Sequence, residues 1–242
     1  MDYESKVIKE NIQWQEEMKK PPKSSSIIAK SIQNKVNSMV PEKVHEIITD
    51  TIKNMIKMVL KGSEFISSKP YVSLTLKERE YLIDEKVKSY RKGGVIAGAG
   101  IGAGGIILGL ADFPVLVSIK IKLLFDIALI YGFDVTNLNE RLYILNIFKL
   151  AFSSDEKRRS VYLDVANWEE VQASFPNNYE DFDWRDFQQE YRDYIDISKM
   201  LQLLPVVGAA FGAAANYKLL NRLSYIAKNA YRLRILKQKG LL

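Results

Sequence analysis

The chain has 242 residues, 47% of them hydrophobic, with no cysteine, a single histidine and a formal net charge of +6. That apolar content is enough for a sizeable core and excludes global disorder. The lack of cysteine excludes disulfides, thiolate metal sites and cysteine nucleophiles. The opening Met1-Asp2-Tyr3-Glu4-Ser5-Lys6 has acids where an export signal needs a basic and then an apolar stretch, so a cytoplasmic location is expected.

The charge is unevenly distributed. Asp164 to Asp196 holds ten acids against Arg185 and Arg192, a net of −8, whereas Ile197 to the end holds eight bases and no acid, a net of +8. A basic C-terminal segment has three natural partners: nucleic acid, anionic lipid, or the acidic segment of its own chain.

In chain order, residues 1–22 read as a charged N-terminal extension with a short helix that ends at Pro21-Pro22. Ser24-Ser25-Ser26 offers N-caps for a helix whose apolar positions are Ile28, Ile32, Val36 and Met39. Pro41 opens the next, with a buried stripe of Val44, Ile47, Ile48, Met55, Val59 and Leu60 and with Gly62 at its C′ position. Thr75 and Glu78 have the spacing of a capping box before a charged helix that runs to Lys92.

Gly93 to Ala111 follows, nineteen residues without a charge, eight of the chain's 13 glycines among them. Asp112 is a good N-cap, with Pro114 in the first turn of an apolar helix from Phe113 to Tyr131, where Lys122 and Asp126 stand four apart. Tyr131-Gly132-Phe133 reads as a helix stop, and Asn137 and Glu140 as caps of a further apolar helix. Residues 153–178 are polar and broken. A helix is expected from Trp184 to Leu204, and another from Asn216 to Leu236. The latter has Leu219, Leu223, Ile226, Ala230 and Leu233 on one face and Lys218, Arg222, Lys228 and Arg232 opposite. No segment alternates as a strand. The expected fold is all-α, a single compact bundle of about eight to ten helices around a Gly-rich central helix pair.

Glycine costs about 1 kcal/mol per residue in a helix relative to alanine, so eight together need a reason. A phosphate-binding loop would need Gly-Lys-Ser/Thr, but no lysine lies between Lys92 and Lys120, and a dinucleotide fingerprint would need a preceding strand. Close helix packing fits better. Gly94, Gly98 and Gly102 are spaced by four, as are Gly105 and Gly109, and Gly208 and Gly212 repeat the spacing in Leu204–Asn216. The two segments are expected to pack together, with Asp112 and Asn216 near the ends of the contact. As membrane spans both are marginal: the first is poor in insertion energy and meets Asp112, and the second, taken from Leu201 to Tyr217, has only seventeen uncharged residues, many of them alanine.

No catalytic constellation emerges. His45-Glu46 stops short of a zincin motif because Thr49 occupies the second histidine's place, and no Gly-x-Ser-x-Gly elbow is present. The acids from Glu180 to Asp186 lack the glycine of a calcium loop, and the basic helix lacks a nucleic-acid reading motif. No metal, cofactor or nucleic acid is expected.

Ala111-Asp112-Phe113-Pro114, Tyr131-Gly132-Phe133-Asp134, Leu204-Pro205-Val206-Val207-Gly208 through Gly212 to Asn216-Tyr217, and Ala230-Tyr231-Arg232-Leu233-Arg234 occur in order, and this combination resembles the EcsC protein family over residues 35–236. The resemblance implies an EcsC-like helical domain over 23–242, bacterial origin, a cytoplasmic or inner-membrane-face location and a link to membrane transport. It brings no catalytic residues with it. The expected function is binding of lipid or another apolar ligand at the cytoplasmic membrane face. The Gly-rich segments would form the seam or pocket, and Lys218, Arg222, Lys228 and Arg232 would meet anionic head groups. The alternatives are a hydrolase-like enzyme with its site near Asp112 and Asn216, and an interaction module for a transporter subunit.

Overall fold

The computed structural model describes residues 2–22, 42–62, 65–66, 68–99, 113–175, 187, 189, 191, 194–196, 199–200 and 208–242, with backbone alone at 93–99 and 208–216. Among them are eight helices and no strand. They are α1 (Tyr3–Lys19), α2 (Glu42–Lys61), α3 (Leu76–Ala99), α4 (Phe113–Ile130), α5 (Leu138–Phe152), α6 (Arg158–Ala166), α7 (Trp168–Gln172) and α8 (Gly208–Gln238). The single β-bridge joins Ser153 to Ile195.

Local sequence sets the helix limits largely as expected. Asp2 caps α1 through its side chain, which accepts the Tyr3 N–H. At α3 the Thr75 N–H donates to Glu78 Oε2 at 2.8 Å, and the Glu78 N–H donates to Thr75 Oγ1 at 3.3 Å, the reciprocal pair of a capping box. These bonds, from the Thr75 hydroxyl first and its N–H second, hold the Glu78 carboxyl below its ordinary pKa. Asn137 caps α5 by accepting the Asn139 N–H, but Glu140 takes no part in that cap and turns into the core. The charged helix does not stop at Lys92. It continues through Gly93 to Ala99.

Two expectations change. The segment expected to be one helix from Trp184 to Leu204 is interrupted. At Ile195 the chain is extended, the Asp196 N–H donates to Phe152 O at 2.9 Å, and Asp196 then accepts the Lys199 N–H to start a new turn. Residues 153–175 hold the two short helices α6 and α7.

Helix α8, 31 residues long, is the axis of the bundle. It packs against α1, α3, α4, α5 and α6, most extensively against α3. Its apolar face is the expected one, since Leu219, Leu223, Ile226, Ala230 and Leu233 are all buried. Its flanks are buried too, by Leu220, Ala227, Tyr231 and Leu236. Helix α5 is likewise buried from Glu140 to Phe152. Each fully buried Leu, Ile, Val or Phe side chain contributes about 1.5–3 kcal/mol. Rings lock the centre: Tyr231 stacks on Tyr131 at 5.5 Å and meets Tyr143 edge-on at 5.4 Å. Helix α1 lies on this core through Val7, Asn11 and Trp14, with Asn11 Nδ2 donating to Asn229 O at 2.8 Å.

Helix α4 ends in a Schellman motif. The Gly132 N–H donates to Leu129 O and the Phe133 N–H to Ala128 O, both at 3.0 Å, with Gly132 at φ +91°. A β-carbon there would stand 3.1 Å from Tyr71 O and 3.2 Å from the Arg79 guanidinium. The left-handed backbone costs an L-residue about 1–2 kcal/mol. Gly132→Ala should therefore lower the melting temperature in scanning calorimetry by about 2–4 °C for each kcal/mol lost. An unchanged melting temperature would contradict this.

Candidate functional site

Three helices share one end of the bundle. Glu80 with Arg232, Asp84 with Lys228, and Arg91 with Tyr217 fix α3 antiparallel to α8. Arg79 donating to Tyr131 O, and Lys86 and Tyr90 reaching Asp126, fix α3 antiparallel to α4. The C-terminal end of α3 therefore lies with the first turns of α4 and α8. At this end Val115 is 58% and Tyr217 46% exposed, Pro114, Lys92 and Lys218 are exposed, and the Arg91 guanidinium lies 4.8 Å over the Tyr217 ring.

The expected seam residues are distributed around this end. Gly94 and Gly98 are in the last turns of α3, and Gly208, Gly212 and Asn216 in the first turns of α8. Pro114 is in the first turn of α4. Gly102, Gly105, Gly109 and Asp112 lie outside the described residues.

The four cations expected to face an anionic surface have separate fates. Lys218 is exposed and Arg222 half-buried. Lys228 pairs with Asp84 at 2.9 Å and approaches Glu80 at 3.8 Å. Arg232, 7% exposed, lies inside, where its Nε donates to Glu80 Oε1 at 2.7 Å, its NH2 to Glu80 Oε2, and its NH1 to Glu10 Oε2 at 2.9 Å. Of the natural partners of a basic helix, acids of the same chain hold these two, yet those acids come from α1 and α3 rather than from 164–196.

Glu80 is the centre of this cluster and is 2% exposed. Tyr3 Oη donates to its Oε2 at 2.7 Å and Tyr131 Oη to its Oε1 at 3.4 Å. Burial pushes the carboxyl's pKa up, but the Arg232 hydrogen bonds and charge and the Tyr3 hydroxyl outweigh it, and the net shift is downward. Burial also works against the Arg232 charge, and Glu80 reverses that, raising the guanidinium pKa. A parallel cluster joins α5 to α8: Glu140 accepts from Tyr231 Oη at 2.6 Å and from Arg234 at 2.7 Å, and the Arg234 guanidinium lies over the Phe133 and Tyr143 rings at 4.2 and 4.3 Å.

The expected Lys122–Asp126 pair forms at 3.1 Å and is joined by Lys86 at 3.3 Å and the Tyr90 hydroxyl at 2.9 Å. Lys120, one residue past the uncharged run that follows Asp112, is buried with Nζ donating to Leu116 O at 3.3 Å, and burial lowers its pKa to about 7. Among the described residues no group of three or more acids or histidines could hold a metal ion, and no helix is long and apolar enough to cross a membrane. Sequence reading missed Glu80 and Glu140. The available signal was a C-terminal helix rich in cations with no acid of its own, which needs acids from elsewhere.

The arrangement defines an all-α bundle built on one long C-terminal helix whose cations are engaged internally, with apolar and basic side chains gathered at one end. The chain belongs to the EcsC protein family, whose model matches residues 5–236. It is 44% identical over 233 residues to "Protein EcsC" of Bacillus subtilis (strain 168), an alignment covering 96% of each chain. It is also 29% identical over 147 residues to "Uncharacterized protein YdbA" of the same organism, covering 61% of this chain and 54% of that one. No solved structure matches it.

Breaking the Glu80–Arg232 pair from one side leaves a buried charge, so Arg232→Met should destabilise the protein by about 3–5 kcal/mol, measured by urea unfolding. The double variant Glu80→Gln/Arg232→Met should recover much of that loss. Because Glu80 titrates lower in the folded protein than in the unfolded chain, the pair's contribution is whole above the unfolded carboxyl pKa of about 4.3 and is lost as pH falls through the folded value. A single variant as stable as the parent would refute the role.

Proposed function

We propose that the protein acts at a membrane face, presenting the shared end of α3, α4 and α8 to the lipid and binding lipid or another apolar ligand with the Gly-rich segments. The observation that carries this reading is the common end itself. Both uncharged stretches, Gly93 to Ala111 and Leu201 to Tyr217, begin or finish there, beside exposed Val115 and Tyr217 and the cations Lys92 and Lys218. A tyrosine and apolar side chains bordered by lysine and arginine is the composition that suits a water–lipid boundary. The antiparallel register of α3 and α8, carried on along both helices, also runs Gly94 and Gly98 toward the Gly208–Gly212 turns, in keeping with a close seam between them.

Flotation with phosphatidylglycerol–phosphatidylcholine vesicles at low salt tests the reading. The protein should float with the anionic vesicles, and Val115→Glu/Tyr217→Glu should weaken binding about tenfold or more, since charged side chains replace apolar ones at the contact. Recovery in the lipid-free fraction for the parent protein would overturn membrane docking. The seam has a separate test in Gly98→Leu and Gly208→Leu, each of which should unfold the protein or halt its expression. Parental melting temperatures in both would count against close packing.

A further inference from the structure

A further charged cluster lies where the α5–α6 loop, residues 195–196 and 199–200, and α8 meet. Lys199 Nζ donates to Ser153 O at 2.6 Å and to Asp155 Oδ1 at 3.3 Å. Arg158 donates NH1 to the same Asp155 oxygen at 3.3 Å and NH2 to Lys20 O at 3.1 Å, leaving its buried Nε without a hydrogen-bond partner among the described residues. Arg222 feels the charges of Asp155, Asp196, Arg158 and Lys199, yet among the described residues no hydrogen bond or ion pair within 4 Å reaches its guanidinium. Burial first, and Arg158 beside it, lower the Arg222 pKa despite the two acids. Burial first, and then Arg222, lower that of Lys199. Among the described residues three cations thus face two carboxylates, an excess of one positive charge. One of those carboxylates, Asp196, also accepts the Lys199 N–H at 3.4 Å.

We propose that Arg222, Lys199 and Arg158 form a binding site for a phosphodiester. The single negative charge of the diester matches the single excess positive charge, and its two free oxygens match the planar donor fork that Arg222 leaves unused. A bound oxyanion would supply the direct hydrogen-bonded partner that this half-buried guanidinium does not have among the described residues, and Lys199 and Arg158, already held by backbone carbonyls, would flank it. Arg222 lies five residues beyond Tyr217, about 7.5 Å further along α8, so the cluster is close to the shared helix end. The site does not depend on that end docking to a membrane, because a lipid head group and a soluble phosphodiester present the same oxyanion.

Calorimetric titration of the full chain with glycerophosphoglycerol, alongside flotation with phosphatidylglycerol vesicles, separates the sources. The parent should bind the soluble diester, and Arg222→Gln should weaken that binding about tenfold or more, the effect of losing hydrogen bonds to a charged group. Asp155→Asn removes the competing carboxylate and should tighten binding about threefold, a gain that a purely structural role for Asp155 would not produce. Diester binding that depends on Arg222 without any flotation sustains the site and removes the membrane reading. Flotation with no diester binding, or with affinity equal in parent and Arg222→Gln, overturns the site and leaves membrane docking standing. Should Arg222→Gln lose its circular dichroism melt, Arg222→Lys and Asp155→Asn decide: no tightening in Asp155→Asn overturns the proposal.

Discussion

The two-pronged contact between the Glu80 carboxylate and the Arg232 guanidinium sets the register of the two longest helices. Apolar packing along α8 covers a broad face and both its flanks and would tolerate more than one axial setting. A planar fork on a buried carboxylate would not, because a shift of one residue rotates Arg232 by about 100° and leaves both charges dry and unpaired. Lys228 and Asp84 one turn along, and Tyr3 and Glu10 from α1, all take positions relative to that contact. Exchanging such a pair for well-packed apolar residues costs little, whereas separating it costs a great deal, so its contribution is to exclude wrong alignments rather than to add net stability.

The same contact divides the cations of α8 into two sets. At the Glu80 level the cations of α8 are neutralised by acids from two other helices. Toward the first turns of α8, Arg222 and Lys218 have no such close acid among the described residues, and Tyr217 and Val115 reach solvent. Among the described residues one helix thus carries a half whose cations are paired with acids and a half whose cations are not, with the boundary between Arg222 and Lys228.

Much of the fold could be read from local chemistry. Caps at Thr75 and Asn137, the stop at Gly132 and the stripe on α2 depend on residues near in sequence, and the structure has them where spacing suggested. What sequence could not supply was pairing across the chain. Arg232 looked like one more cation on a solvated face because its partner is 152 positions away. Glu140 looked like a capping acid because its position fits that role, and only the arrival of Tyr231 and Arg234 draws it inward. The break at Ile195 was hidden for a similar reason: the pattern there is helical, and the competing bond is to Phe152 in another element. Of the candidate site, the uncharged segments were visible from composition alone. Their common end was not, because it follows from the antiparallel order of α3 against both α4 and α8.

The placement of α8 has a consequence for how the chain comes to be folded. Helix α1 closes directly onto the far end of the sequence, with Asn11 on Asn229, Glu10 on Arg232 and Glu4 on Lys239. The helix that serves as the axis therefore follows, in chain order, every described helix that packs on it. Until it docks, α3, α4 and α5 have one another, α2 and α6 to pack on, and Glu80 and Glu140 lack Arg232 and Arg234. Contacts of such long sequence separation slow folding, and an intermediate in which α8 has not yet docked exposes apolar surface.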